Sequence, residues 1–161
     1  MKPGKNFTSW REKLEKPSEP KIIEIPDDWA IRIGHGKMLV PTPILVDEVV
    51  RKVPKGKLVT VNNIRDKLAD NFGADVTCPL TTGIFLNIAA NTAEEDKLSG
   101  KRKITPYWRV IKNDGSLNPK FPGGVLQQAA KLKQEGFIIL KGRGKDSLKV
   151  KGFEDALIAF D

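Results

Sequence analysis

The sequence predicts an α+β fold, and three observations carry that reading. Two stretches with helical apolar spacing each follow a threonine suited to an N-cap, and a third follows a short turn containing glycine. Asn113-Asp114-Gly115 is a tight-turn signal, and Phe137-Ile138-Ile139-Leu140 and Leu148-Lys149-Val150 read as two strands around a loop. Gly123-Gly124 opens a last amphipathic helix that closes at Gly136.

Residues 1–39 read as an extension that packs on the domain. Pro3, Pro17, Pro20 and Pro26 interrupt any long helix, Lys21-Ile22-Ile23-Glu24-Ile25 suits a short strand, and Trp10 and Trp29 supply apolar anchors. The main domain spans 40–137. Thr42-Pro43 sets an N-cap and first helical position. Ile44 to Val53 then turns Leu45, Val46, Val49, Val50 and Val53 inward, with Asp47, Glu48, Arg51 and Lys52 outward. Thr60 caps a second helix with Val61, Ile64 and Leu68 inward. Asn71-Phe72-Gly73-Ala74 is the turn into a third, capped by Thr77 or Cys78 with Pro79 in its first turn. This is a helix-turn-helix pattern.

The third helix carries no charge from Cys78 to Thr92. Leu80, Ile84, Phe85 and Ile88 read as its inward stripe, and Thr82, Leu86, Ala89 and Ala93 as the opposite face. A helix buried on both sides explains this, and so does a face of small residues that enters a nucleic-acid groove. In the last helix, Val125, Leu126, Ala129 and Leu132 read as inward. Residues 138–161 form a basic hairpin around Lys141 to Asp146, with an amphipathic tail from Phe153.

At 161 residues, one domain with a real core is expected. No apolar run approaches the ~20 residues of a membrane span, and the first residues lack a secretory apolar segment. One cysteine excludes an internal disulfide framework. The expectation is a cytoplasmic monomer, nucleoid-associated in a bacterium. A net charge of +8 favours polyanionic partners. The cations cluster at Arg51 to Lys57, at Lys97 to Lys112 with no acid among them, and at Lys141 to Lys151. Several cations along one groove are what phosphate neutralisation requires.

Thr105-Pro106-Tyr107-Trp108-Arg109-Val110-Ile111, followed by Asp114-Gly115, Leu117, Phe121-Pro122-Gly123-Gly124 and Glu135-Gly136, resembles the active-site segment of the O6-alkylguanine-DNA alkyltransferases. That family carries Pro-Cys-His-Arg-Val in this place. Val53-Pro54-Lys55-Gly56-Lys57 with Val59-Thr60 is similar to its helix-turn-helix entrance. Tyr107 stands at the acceptor cysteine and Trp108 at the histidine, so the chain resembles the alkyltransferase-like members that lack the acceptor thiol.

The resemblance implies a winged helix-turn-helix domain of the alkyltransferase C-terminal type. It implies non-catalytic binding of double-stranded DNA, with recognition of alkylated guanine and with other repair proteins as partners. Tyr107, Trp108, Arg109, Phe121 and Glu135 would line a vestigial alkyl pocket. Thr81, Thr82, Ala89, Asn91, Lys101, Arg102, Lys103 and Arg109 would meet DNA. Three departures stand out. Val61 replaces a tyrosine of the first helix, Ala89 stands where an intercalating arginine is expected, and Ala93 to Lys103 is an insertion.

Two readings compete with this one. The first is DNA binding without lesion preference. The second is thiol chemistry at Cys78, since a helix N-terminus favours thiolate. The lone His35 has no motif linking it to Cys78. One Cys and one His support no metal site, and no cofactor is expected.

Overall fold

The computed structural model describes residues 9–160. The described residues form a mixed α+β structure with six α-helices and three small sheets. Pro3, in the reading of the extension, lies outside the described residues.

The extension contributes three elements. Helix α1 (Trp10–Glu15) starts at Ser9, whose hydroxyl accepts the Glu12 amide at 3.1 Å. Strand β1 (Lys21–Glu24) pairs antiparallel with β2 (Lys37–Val40), in the register Lys21 to Val40 and Glu24 to Lys37. Helix α2 (Asp27–Ile33), which the sequence reading did not include, forms the connection. Its Ala30 packs with Ile25, Met38 and Cys78 in a small separate cluster.

Helix α3 (Pro43–Arg51) begins at Thr42, whose hydroxyl accepts the Leu45 amide at 3.3 Å. Val46, Val49, Val50 and Val53 are buried, as the spacing requires. Asp47 is buried too, against expectation. It accepts from Arg51 Nε at 2.7 Å and from Thr105 Oγ1 at 2.6 Å, which satisfies both of its oxygens. Strand β3 (Val59–Thr60) leads into α4 (Val61–Phe72), fixed by a reciprocal capping box between Thr60 and Asn63. Gly73, in the left-handed conformation, ends α4. Strand β4 (Val76–Thr77) joins β2 in parallel, and Cys78 precedes α5 (Pro79–Leu98).

The orientation of α5 corrects the sequence reading. Thr82, Leu86, Ala89, Ala90 and Ala93 are buried, while Leu80 and Ile84 are 60% and 50% exposed. The small residues therefore face α3, where low bulk lets two helices approach closely. Their hydroxyl-bearing members need no outside partner. Thr82 Oγ1 donates to the Cys78 carbonyl and Thr92 Oγ1 to the Ile88 carbonyl, both at 2.7 Å.

After α5 the chain runs through a 3₁₀ turn (Tyr107–Arg109) into β5 (Val110–Ile111), which pairs in parallel with β3. Lys112 to Ser116 form the tight turn, closed by the Gly115 amide on the Lys112 carbonyl at 2.9 Å. Helix α6 (Gly124–Gln134) buries Gln128, Ala129 and Leu132. Leu126, expected inside, is 77% exposed, because positions 125, 128, 129 and 132 make the inward stripe and 126 lies off it. Gln128 is buried because it is fully used. Its carbonyl accepts the Asn118 amide, and its Nε2 donates to the Trp108 and Val110 carbonyls. Strands β6 (Ile139–Lys141) and β7 (Leu148–Val150) form the antiparallel hairpin, and the tail returns so that Ile158 donates to the Leu58 carbonyl at 2.8 Å.

Candidate nucleic-acid interface

The exposed face of α5 forms one wall of an open groove of about 690 Å³. Leu80, Gly83, Ile84, Asn87 and Ile88 line that wall, and Asn118, Pro119 and Lys120 line the other. The second wall is held by hydrogen bonds. The Asn118 amide donates to Gln128 on α6, and the Lys120 amide donates to Asn118 Oδ1, both at 2.9 Å. Lys112 closes one end from the tight turn, whose Asn113 side chain accepts the Asn62 amide at 2.9 Å and so ties the turn to α4.

Helix α1 closes the groove on a further side with Trp10 and Lys13. It is anchored by α5 itself: Glu95 accepts the Trp10 and Arg11 amides, each at 3.0 Å, at the start of α1, where a carboxylate also suits the helix dipole. Arg11 pairs with Asp96 of α5. The Lys13 ammonium lies 4.2 Å over the Trp10 ring. Among the described residues, the apolar groove is thus lined by three lysines from three separate segments and by no acidic residue.

The residues expected at an alkyl pocket are close together, but they form a packed core. Tyr107 is 1% and Phe121 3% exposed. The Tyr107 ring meets Trp108 and Phe121 edge-on, each with centroids 5.4 Å apart. The Tyr107 hydroxyl donates to Glu94 at 2.9 Å. Burial, and then the Glu94 carboxylate, push the phenol well above its ordinary range.

Trp108 and Arg109 both turn to Glu135. Trp108 Nε1 donates to Oε2 at 2.8 Å, and Arg109 donates from Nε to Oε1 at 2.9 Å and from Nη2 to Oε2 at 2.8 Å. Arg109 Nη1 takes the Val53 carbonyl at 2.8 Å. Burial alone would raise the Glu135 carboxyl, but the bonds from Arg109 and Trp108 outweigh it and hold it below its usual range. The donors of Arg109 are therefore committed inside the fold, and it is not a free phosphate ligand.

The other sequence-derived contacts divide. Thr82 and Ala89 are buried and cannot reach a groove of DNA, and Ala89 sends no wedge outward. Thr81 is half-buried, and Asn91 donates to the Asn87 carbonyl on the same helix at 2.8 Å. Lys101, Arg102 and Lys103 gather beyond the far end of α5, beside Trp108 and away from the apolar groove. Trp10, Lys13, Leu80, Ile84, Lys112 and Lys120 are groove residues that the sequence reading did not select. The lack of charge along α5 was the available signal, but it does not tell which face points out. Cys78 is free but 4% exposed, packed with Ile25, Ala30 and Met38. Burial there withholds the thiol from a substrate.

No family model matches this chain, and no curated protein matches it. Among solved structures it is similar to S. pombe Atl1, crystallised in complex with damaged DNA containing O6-carboxymethylguanine. The identity is 19%, with 73% of this chain and 94% of that chain covered, and the TM-score is 0.49.

Proposed function

We propose that this protein is a non-catalytic binder of double-stranded DNA, with α4 and α5 as the helix-turn-helix and the β6–β7 hairpin as its wing. The observation that carries the proposal is the exposed α5 face, apolar and free of charge, with Lys13, Lys112 and Lys120 around it. Uncharged side chains enter a DNA groove without desolvating a charge, and rim cations neutralise the flanking phosphates. The ordered motif from Tyr107 to Glu135 supports the same reading through its likeness to the alkyltransferase-like proteins. No nucleophile stands at the acceptor position, because the Tyr107 phenol is buried, hydrogen-bonded and held protonated.

Recognition of alkylated guanine is the finer form of this proposal. The groove beside α5 has the volume of a small-ligand site and is bounded by the loop that leads to Phe121. The close packing of Tyr107 and Phe121 favours a second reading, duplex binding without lesion preference. Fluorescence anisotropy on two matched duplexes, one carrying O6-methylguanine, separates the two. Tighter binding to the modified duplex supports lesion recognition, equal binding supports the second reading, and no binding to either removes the DNA proposal.

A further inference from the structure

A second basic cleft lies around Trp108, remote from the apolar groove. Its volume is about 470 Å³, within the range of small-ligand sites. Lys55 enters from the loop after α3, Lys97 from the end of α5, Lys101 and Arg102 from the following segment, and Lys131 from α6. A neighbouring cavity of about 350 Å³ shares Arg102, Ile104 and Trp108 with it and adds Arg51 and Lys103. Four separate segments therefore contribute cations to the lining of one cleft beside Trp108, and Lys131 lies over its ring.

These charges are under-compensated. Glu135, the carboxylate of the lining, is committed to Arg109 and Trp108. Lys131 sits 3.8 Å from Glu94 and 4.8 Å over the Trp108 ring, and Lys101 is 3.4 Å from Asp96. No ion pair is found for Lys55, Lys97 or Arg102 among the described residues. Burial lowers the Lys131 ammonium below its ordinary range; Glu94 opposes that shift, while the nearby Lys97 charge adds to it. Like charges held together in this way are relieved by a multiply charged anion.

We propose that the Trp108 cleft is a binding site for phosphate-bearing ligands, distinct from the groove of α5. Phosphate oxygens suit it because four lysines and one arginine line it, and an anion of charge two or more offsets several cations at once. Two sources supply that chemistry: a free polyphosphate, and the terminal phosphate of a nucleic-acid strand. The duplex case rests on the DNA reading above, and the free-ligand case does not.

The test is calorimetric titration of the full chain with inorganic pyrophosphate at low salt, with two double variants beside it. Lys97→Glu with Arg102→Glu alters exposed cleft positions. Lys112→Glu with Lys120→Glu alters the groove and leaves the cleft intact. The expected result is saturable one-to-one binding, weakened at least tenfold by the cleft pair and unchanged by the groove pair. The absence of saturable binding by the wild type, or equal weakening by both pairs, overturns the site. Matched duplexes with and without a 5′-phosphate then identify the source. Tighter binding of the phosphorylated duplex, lost in the cleft pair, assigns the strand end, and equal binding of both duplexes assigns a free polyphosphate. Loss of all duplex binding with pyrophosphate binding retained would remove the DNA reading and leave the cleft standing.

Discussion

The indole N–H of Trp108 and the guanidinium of Arg109 share one carboxylate, Glu135, with donor distances of 2.8 Å from each to Oε2. Because Arg109 also holds the Val53 carbonyl, this one acid ties the end of α6 to the 3₁₀ turn and to the end of α3. In the segment that resembles an alkyltransferase active site, the tryptophan and arginine here serve cohesion. Removing one member leaves a buried partner uncompensated, which costs about 3 kcal/mol. Arg109→Ala is thus expected to lower the melting temperature by several degrees, with duplex affinity of the folded variant unchanged. Thermal melts and anisotropy on the same sample check both halves.

The same carboxylate sets an acid limb. Its pKa is depressed in the fold, so its stabilising contribution is complete above the unfolded value of about 4.3 and is lost as pH falls through the folded value. Wild type should lose stability between about pH 4.3 and the lower folded value more steeply than Glu135→Gln does. Denaturant melts across acid pH check this, and parallel curves for the two proteins would contradict it.

Tyr107 is the single tyrosine of the chain, so tyrosinate absorbance reports it alone. Its folded pKa is raised, so its stabilising contribution is complete below the unfolded value of about 10 and is lost as pH rises through the folded value. Tyrosinate should stay absent in the native protein above pH ~10 and rise with alkaline unfolding. A rise near the ordinary value with the fold intact would contradict the buried Tyr107–Glu94 bond. Tyr107→Phe should cost about 2 kcal/mol, the worth of one hydrogen bond to a charged group.

Lys112 and Lys120 both line the groove from outside α5, and each is expected to neutralise about one phosphate. Their double alanine variant should reduce the slope of log affinity against log salt by roughly 2. An unchanged slope removes them from the interface.

The buried Cys78 thiol should react with iodoacetamide only through opening of the fold. Its labelling rate should rise with denaturant and be very slow in its absence. Rapid labelling of the native protein would restore the thiol reading.

Helix starts were legible because their signals are local. Thr42, Thr60 and Pro79 act through their own first turns, and the structure uses them there. The tight turn at Gly115 was legible for the same reason, and its φ of 89° explains the glycine. The facing of α5 was not legible, because both of its sides are apolar and spacing gives no direction. What decides is bulk against α3, a tertiary property. The burial of Asp47 depends on Thr105, 58 residues later, and the role of Glu95 depends on α1, 84 and 85 residues earlier. Side chains that look like surface charges in the sequence become structural through partners that spacing does not reveal. The groove escaped selection because its lysines, at 13, 112 and 120, are scattered along the chain and converge only in the fold.

The measurement that bears most directly on the central claim compares wild type and Ile84→Glu on one unmodified duplex by fluorescence anisotropy at low salt. Ile84 is half exposed on the α5 face, so the variant is expected to fold, which its melting curve checks. A carboxylate there would face phosphates across an apolar contact. The account predicts salt-dependent binding by wild type and at least a tenfold loss in the folded variant. Equal affinity of the two proteins, or no binding by the wild type, would contradict it.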